Sequence, residues 1–251
     1  MSNFWTSETI EKYKQASEYL SFHKKLAVLA EPYLDRNWTM ADLGCGPGLL
    51  SLQLSPMVGK ITAIDDDELA ISDLQARLDD VFLTNEATAN QIQPVFGDVH
   101  DLEDEKWDIV LASFIGIDKP LLDDILPRAN KPALIYTRGR KDAQDHSSLS
   151  EGGEQEKLGV NEIDAYLEEN HYAYKKSVHE MQFGQPFKSI EDIHSFLEEQ
   201  YTGEGQDKDE AVKRIAAAEE RIVKTGRFDY PYYLPKSISV ALFIIVMNEE
   251  S

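Results

Sequence analysis

Small and apolar residues recur at helical intervals at the start of the chain: Ile10, Tyr13, Ser17 and Leu20, then Phe22, Leu26, Leu29 and Tyr33. This spacing of three and four predicts two helices. From Trp38 the texture changes to short apolar runs, Trp38 to Leu43, Ile61 to Ile64, Ile92 to Phe96, Trp107 to Ala112 and Ala133 to Thr137, which read as strands. Helical stretches lie between them. Leu49 to Leu54 is stopped by Ser55-Pro56, and Ile71, Leu74, Leu78 and Val81 form a stripe that Asp67 is placed to cap. Strand alternating with helix predicts a parallel sheet covered on both faces, with right-handed crossovers.

After Thr137 comes a polar stretch, Gly139 to Gly159, which reads as a lid or a disordered loop. Asn161 to Glu169 then resumes as a helix, and Tyr172 to Phe183 is extended. Ser189 can cap a helix running to about Glu199, and Ala211, Ile215, Ala218 and Ile222 give the stripe of another. Ser237 to Val246 is apolar on both alternations, the mark of a strand covered on both faces. A helical pair inserted before the last strand is the simplest topology.

The chain has 251 residues, enough for one large α/β domain with an elaboration. Its formal net charge is −21. A field of that sign repels phosphate backbones and anionic lipid headgroups, which argues against nucleic-acid and membrane partners. The one cysteine, Cys45, has no partner for a disulfide or a thiolate zinc site, and the six histidines show no metal-ligand spacing, so no metal is expected. The start of the chain lacks the features of a secretory signal, and the apolar run from Ile238 to Met247 is about half the ~20 residues a membrane helix needs. A cytoplasmic location is expected.

The segment from Ala41 to Ser51, ADLGCGPGLLS, sets Gly44, Gly46 and Gly48 at a strand-to-helix turn, where backbone must bend tightly and approach a ligand closely. A dinucleotide fingerprint would want Gly or Ala where this chain has Leu49, and a P-loop would want Lys and Ser/Thr there. Asp42, just before the turn, would repel phosphates but suits a cationic ligand end. This pattern resembles the class I S-adenosylmethionine-dependent methyltransferases, whose first motif reads acidic-x-G-x-G-x-G. Asp65 closes the second strand, where a carboxylate can accept both hydrogens of a ribose diol. Asp98, in VFGDVHDL, matches the family position facing the adenine amino group, and WDIVLAS, Trp107 to Ser113, resembles the fourth strand, beside the methionine moiety and the acceptor.

The resemblance implies a Rossmann-like, doubly wound, mostly parallel sheet of about seven strands with an antiparallel last strand, N-terminal helices, and a helical insertion before that strand. It implies three parts: a helical cap over 1–36, a cofactor domain over 37–188 and 228–251, and an insertion over 189–227 on the substrate side. It also implies S-adenosyl-L-methionine as cofactor, bound by Asp42, Gly44, Cys45, Gly46, Gly48, Leu49, Asp65, Asp66, Asp98, Val99, Ser113, Phe114 and Tyr13. Asp66 departs from the apolar residue that many members pack on the adenine face. Cys45 contributes backbone only, and no catalytic base is assigned.

Phe4, Trp5 and Tyr13 are aromatic residues that can close over the site, His146 is the best-placed histidine for a base, and Arg138 and Arg140 are candidates for pairing with an acceptor carboxylate. Neither the D/N-P-P-Y/F tetrapeptide of amino-methylating DNA enzymes nor the paired-glutamate loop of arginine methyltransferases is evident. Together with the charge, this favours a small-molecule acceptor. A noncatalytic protein that binds the same cofactor is the alternative, and an NAD(P)-dependent oxidoreductase is weaker because of Leu49.

Overall fold

The computed structural model describes residues 5–82, 90–102, 105–139, 157–202 and 207–247. Its frame is a seven-stranded sheet made of β1 (Thr39–Leu43), β2 (Lys60–Asp65), β3 (Ile92–Phe96), β4 (Ile109–Ser113), β5 (Ala133–Arg138), β6 (Ala173–Gln182) and β10 (Ser237–Val246), in the order β3-β2-β1-β4-β5-β10-β6. The pairs from β3 through β5 are parallel, and β10 runs antiparallel to both β5 and β6. The parallel order reverses between β1 and β4, and at such a switch point an open sheet leaves a crevice beyond its carboxyl ends.

Alternation along each strand divides the core in two. Met40, Ile61, Leu111, Leu134 and Tyr136 face the layer of α2 (Phe22–Ala30), α3 (Leu49–Leu54) and α4 (Glu68–Phe82). Ala41, Leu43, Ile64, Val110 and Ile135 face α5 (Lys119–Ile125) and α6 (Val160–Glu169). β10 is buried along its whole interior, Ile238 to Ile245, because helices or their loops cover it on both faces. The doubly wound architecture expected from the sequence is therefore the one observed.

Local chemistry explains the helix starts. Asp67 accepts from the backbone N–H groups of Leu69 and Ala70, capping α4 as its position predicts. Ser189 and Asp192 form a capping box at the start of α7 (Ile190–Tyr201). The helix α1 (Ser7–Leu20) ends at Ser21, which takes φ 55 and turns the chain into α2. The phenol of Tyr136, fully buried on β5, donates to the carbonyl of Leu26 at 2.7 Å and fastens α2 to the sheet.

Two features differ from the sequence reading. α5 lies in a stretch given no element, and Asp118 caps it. The segment before β10 is not only helical: α7 and α8 (Lys208–Glu219) pack on a three-stranded antiparallel sheet of β7 (Gln185–Phe187), β9 (Tyr232–Leu234) and β8 (Val223–Lys224). Phe187, Ile193, Leu197, Ala218 and Leu234 form its small separate core. Strands of two or three residues are too short to show an alternation. No helix among the described residues is long and apolar enough to cross a membrane.

Candidate functional site

The glycine turn sits at the carboxyl end of β1, at the switch point. Gly44 and Gly46 adopt φ 64 and φ 53, conformations in which a Cβ is strained. The space in front of them is filled by protein. A Cβ at Gly44 would collide with Ile115, one at Gly48 with Leu74, and one at Gly46 would stand 3.0 Å from the indole Cζ2 of Trp5. The glycines at 44 and 48 thus serve packing as well as any ligand. Gly46 alone of the three is covered by the N-terminal segment.

Two buried carboxylates flank this turn, and Asp65 braces it. Asp65 is 8 % exposed; its Oδ2 accepts from the Gly46 N–H at 2.7 Å and its Oδ1 from the Asp67 N–H at 3.0 Å. Burial raises its pKa against these hydrogen bonds. Asp42 is 1 % exposed, and the Ser51 hydroxyl donates to its Oδ2. Its Oδ1 has no hydrogen-bond partner. Burial, with a smaller push from Asp65, raises the Asp42 pKa to about 7. A buried carboxylate with an unmet acceptor is a site for a cation or a strong donor. Burial and the same two acids also push the Cys45 thiol well above its ordinary range, so the side chain is a poor nucleophile.

An aromatic cluster closes the crevice from the side of α1. The Trp5 ring lies 5.2 Å from Tyr13, Tyr13 lies 5.5 Å from Phe183, and Phe183 lies 4.4 Å from Phe22. The Trp5 backbone N–H donates to Asp67 Oδ2, which ties this segment to the end of β2. Phe114, immediately after β4, takes φ 59 and packs near Phe22 and Tyr136. A bulky residue in the left-handed region is a local strain of the kind found at binding sites.

The structure therefore places Asp42, Gly44, Cys45, Gly46, Gly48 and Asp65 at the carboxyl ends of β1 and β2, with Leu49 buried at the start of α3; Tyr13 meets this turn through Trp5, and Ser113 and Phe114 stand at the end of the neighbouring β4. The remaining residues stand apart from that group in how they are used. Asp66 is exposed, Val99 packs against the α5 side of the core, and Asp98 is exposed with Oδ1 accepting from the His100 N–H, a turn cap. Phe4, His146 and Arg140 lie outside the described residues. Sequence reasoning gave no role to Ser51 or His23, and for Asp67 it gave the cap of α4 but not the bond from the Trp5 N–H. Among the described residues no group of His, Cys, Asp and Glu is arranged to hold a metal.

No protein-family model matches the chain. A ribosomal protein L11 methyltransferase from Acetivibrio thermocellus is 33 % identical over 94 residues, which cover 37 % of this chain and 28 % of that protein. The chain thus matches less than a third of that relative's length. The solved structure of magnesium protoporphyrin IX methyltransferase from Synechocystis, bound to S-adenosylhomocysteine, superposes with a TM-score of 0.55 at 12 % identity, covering 97 % of each chain. That of a candidate RNA methyltransferase from Pyrococcus horikoshii gives 0.50 at 14 % identity, covering 90 % of this chain and 84 % of the other.

These likenesses correct one expectation. Charge and missing motifs favoured a small-molecule acceptor and excluded nucleic acid, yet a relative in sequence is named for a ribosomal protein, and neighbours in fold include a candidate RNA enzyme. Net charge describes the whole surface, whereas an acceptor is met by the rim of one crevice, so the global sum does not select the acceptor class. With strand order 3-2-1-4-5-10-6 and one antiparallel strand, the chain has the Rossmann-like fold found in the solved S-adenosylmethionine-dependent methyltransferases.

Proposed function

We propose that the chain binds S-adenosyl-L-methionine in the crevice between the glycine turn and the aromatic cluster and transfers its methyl group to an acceptor. The observation that carries this reading is the buried Asp42 carboxylate, with one oxygen unpartnered beneath a glycine turn that Asp65 braces. A cationic amino group supplies what that oxygen lacks, and Asp65 is placed to meet a ribose diol with the lone pairs its two backbone bonds leave free. Gly44, Cys45, Gly46 and Gly48 offer backbone to the ligand, while Leu49 and Phe114 form apolar walls. In this reading Asp66, Asp98 and Val99 are the residues that would meet the adenine, and Ser113 and Tyr13 those nearer the acceptor.

The bound cofactor supplies an already activated methyl group. The chain's own work is alignment and exclusion of water. Trp5, Tyr13, Phe183 and Phe114 form the apolar cover that does both. In this reading residues 1–36 are the cap, and the insertion expected over 189–227 extends to include β7 and β9 on either side of it, which share its sheet and core; the rest of the chain is the cofactor domain.

Calorimetric titration with S-adenosylmethionine, S-adenosylhomocysteine and NAD tests the reading. Micromolar binding of the first two, lost in Asp65→Ala, with none for NAD, supports it; absence of binding by either adenosyl compound overturns it.

A further inference from the structure

The junction of α1 and α2 assembles a chain of three polar side chains under the aromatic cover. Because Ser21 takes a left-handed conformation, α2 folds back along α1 and sets His23 against Tyr13 and Ser17, which are four residues apart on one face of α1. The Ser17 hydroxyl is 2.6 Å from His23 Nδ1, and the Tyr13 hydroxyl is 2.9 Å from His23 Nε2. His23 is 4 % exposed and Ser17 6 %, so the three groups have no recourse to water except at Tyr13.

Burial, helped by Arg77, lowers the His23 pKa to about 3, which leaves the ring neutral with one donor and one acceptor nitrogen. Both nitrogens are used inside the protein. His23 therefore has neither the basicity nor a free nitrogen to take a proton from an acceptor. What it controls is the Tyr13 phenol. The ring of Tyr13 is held by Trp5 and Phe183, and its oxygen by His23. The charged groups that bear on that oxygen are Arg138 and Asp42, at the carboxyl ends of β5 and β1. The Tyr13 ring packs on Trp5, whose indole covers Gly46, so the phenol lies on the side of the glycine turn that the N-terminal segment covers.

We propose that His23, oriented by Ser17, is a positioning residue that fixes the Tyr13 oxygen against the sulfonium end of the cofactor, so that the crevice distinguishes charged S-adenosylmethionine from neutral S-adenosylhomocysteine. This rests on the methyltransferase reading above. A fixed oxygen attracts the positive sulfur and its methyl group and has no such attraction for the thioether product. The phenol therefore favours cofactor exchange after transfer.

The test is calorimetry of the full chain with both compounds, comparing the ratio of their dissociation constants. Tyr13→Phe keeps the ring and removes the oxygen; His23→Leu keeps the oxygen and removes its anchor. Each is expected to weaken S-adenosylmethionine relative to S-adenosylhomocysteine by ~3- to 10-fold, the size of one hydrogen-bond-scale interaction. His23→Gln, whose amide can still donate and accept, is expected to restore part of the ratio. An unchanged ratio in Tyr13→Phe overturns the sulfonium contact. A change in Tyr13→Phe but none in folded His23→Leu overturns the positioning role. Should His23→Leu fail to fold, Ser17→Ala carries the same comparison, an unchanged ratio there counting against the proposal. Failure of the wild-type chain to bind either compound is a separate outcome and removes the underlying methyltransferase reading.

Discussion

The indole of Trp5 lies flush on Gly46, so close that a Cβ at position 46 would stand 3.0 Å from its Cζ2. A ligand that uses the Gly46 backbone must slide beneath this ring or displace it. Trp5 is consequently the natural reporter of the crevice, whereas Trp107 sits before β4 and Trp38 before β1, at the opposite end of the strands. In a Trp38→Phe, Trp107→Phe background, titration with S-adenosylhomocysteine is expected to shift the emission maximum or intensity of Trp5 in step with calorimetric binding. Binding without any change at Trp5 would mean that the ligand bypasses Gly46.

Asp42 ties the site to stability through its proton. Its carboxyl titrates near 3.8 in an unfolded chain and at about 7 in the fold. Between these values the folded state holds a proton that the unfolded state has released, so this group's contribution falls as pH rises from about 4 to about 7, and its full cost is present above that window. Asp42→Asn keeps an acceptor for Ser51 and removes the cost. It is expected to raise the Tm at pH 8 by on the order of 5 °C and to have little effect at pH 4.

The same substitution should act in the opposite sense on the ligand. A cationic amino group favours the ionised carboxylate, so wild-type affinity for S-adenosylmethionine is expected to climb with pH up to about 7 and then level off. In Asp42→Asn this part of the pH dependence disappears and affinity falls ~10-fold or more, the scale of a charge-assisted hydrogen bond. Titrations at pH 6 and pH 8 on both proteins decide it. A gain in Tm without loss of affinity would show that Asp42 does not meet the ligand.

These relationships mark where sequence reading runs out. The turn, the Asp67 cap and the buried last strand are local or periodic features, and spacing alone exposes them. Asp65 was legible because a strand end fixes its place. His23 was not, since one histidine on a helix carries no pattern and its partners depend on how α2 folds back at Ser21. α5 was hidden because seven residues with Pro120 in the first turn and an adjacent Leu121-Leu122 pair show no clear stripe. Asp98, read as a ligand contact, is also employed by the backbone, one of its oxygens capping the turn at His100.

Tyr136→Phe isolates the link between cap and sheet. The lost hydrogen bond to the Leu26 carbonyl should cost about 1 kcal/mol, because that carbonyl keeps its place in the helix ladder. A fall in Tm of ~2–4 °C is expected. Amide exchange should quicken in α2 while β1 and β4 keep their protection. Equal quickening throughout the sheet would show that α2 does not open separately.

Ser21 tests the turn on which the aromatic cover depends. It holds φ 55 without any side-chain cap on α2, and its N–H donates to the carbonyls of Glu18 and Ser17. Glycine relieves about 1 kcal/mol of left-handed strain and costs a little less than that in unfolded-chain entropy, so Ser21→Gly should be neutral to slightly stabilising. Proline fixes φ near −65° and removes the N–H, so Ser21→Pro should cost ~3 kcal/mol or more. Because the backbone path sets His23 against Tyr13, Ser21→Gly is also expected to leave the ratio of S-adenosylmethionine to S-adenosylhomocysteine affinity unchanged. Ser21→Pro should lower that ratio even at temperatures where the chain remains folded. A proline variant with full stability would mean that the junction tolerates another path, and that the left-handed turn is not what places His23.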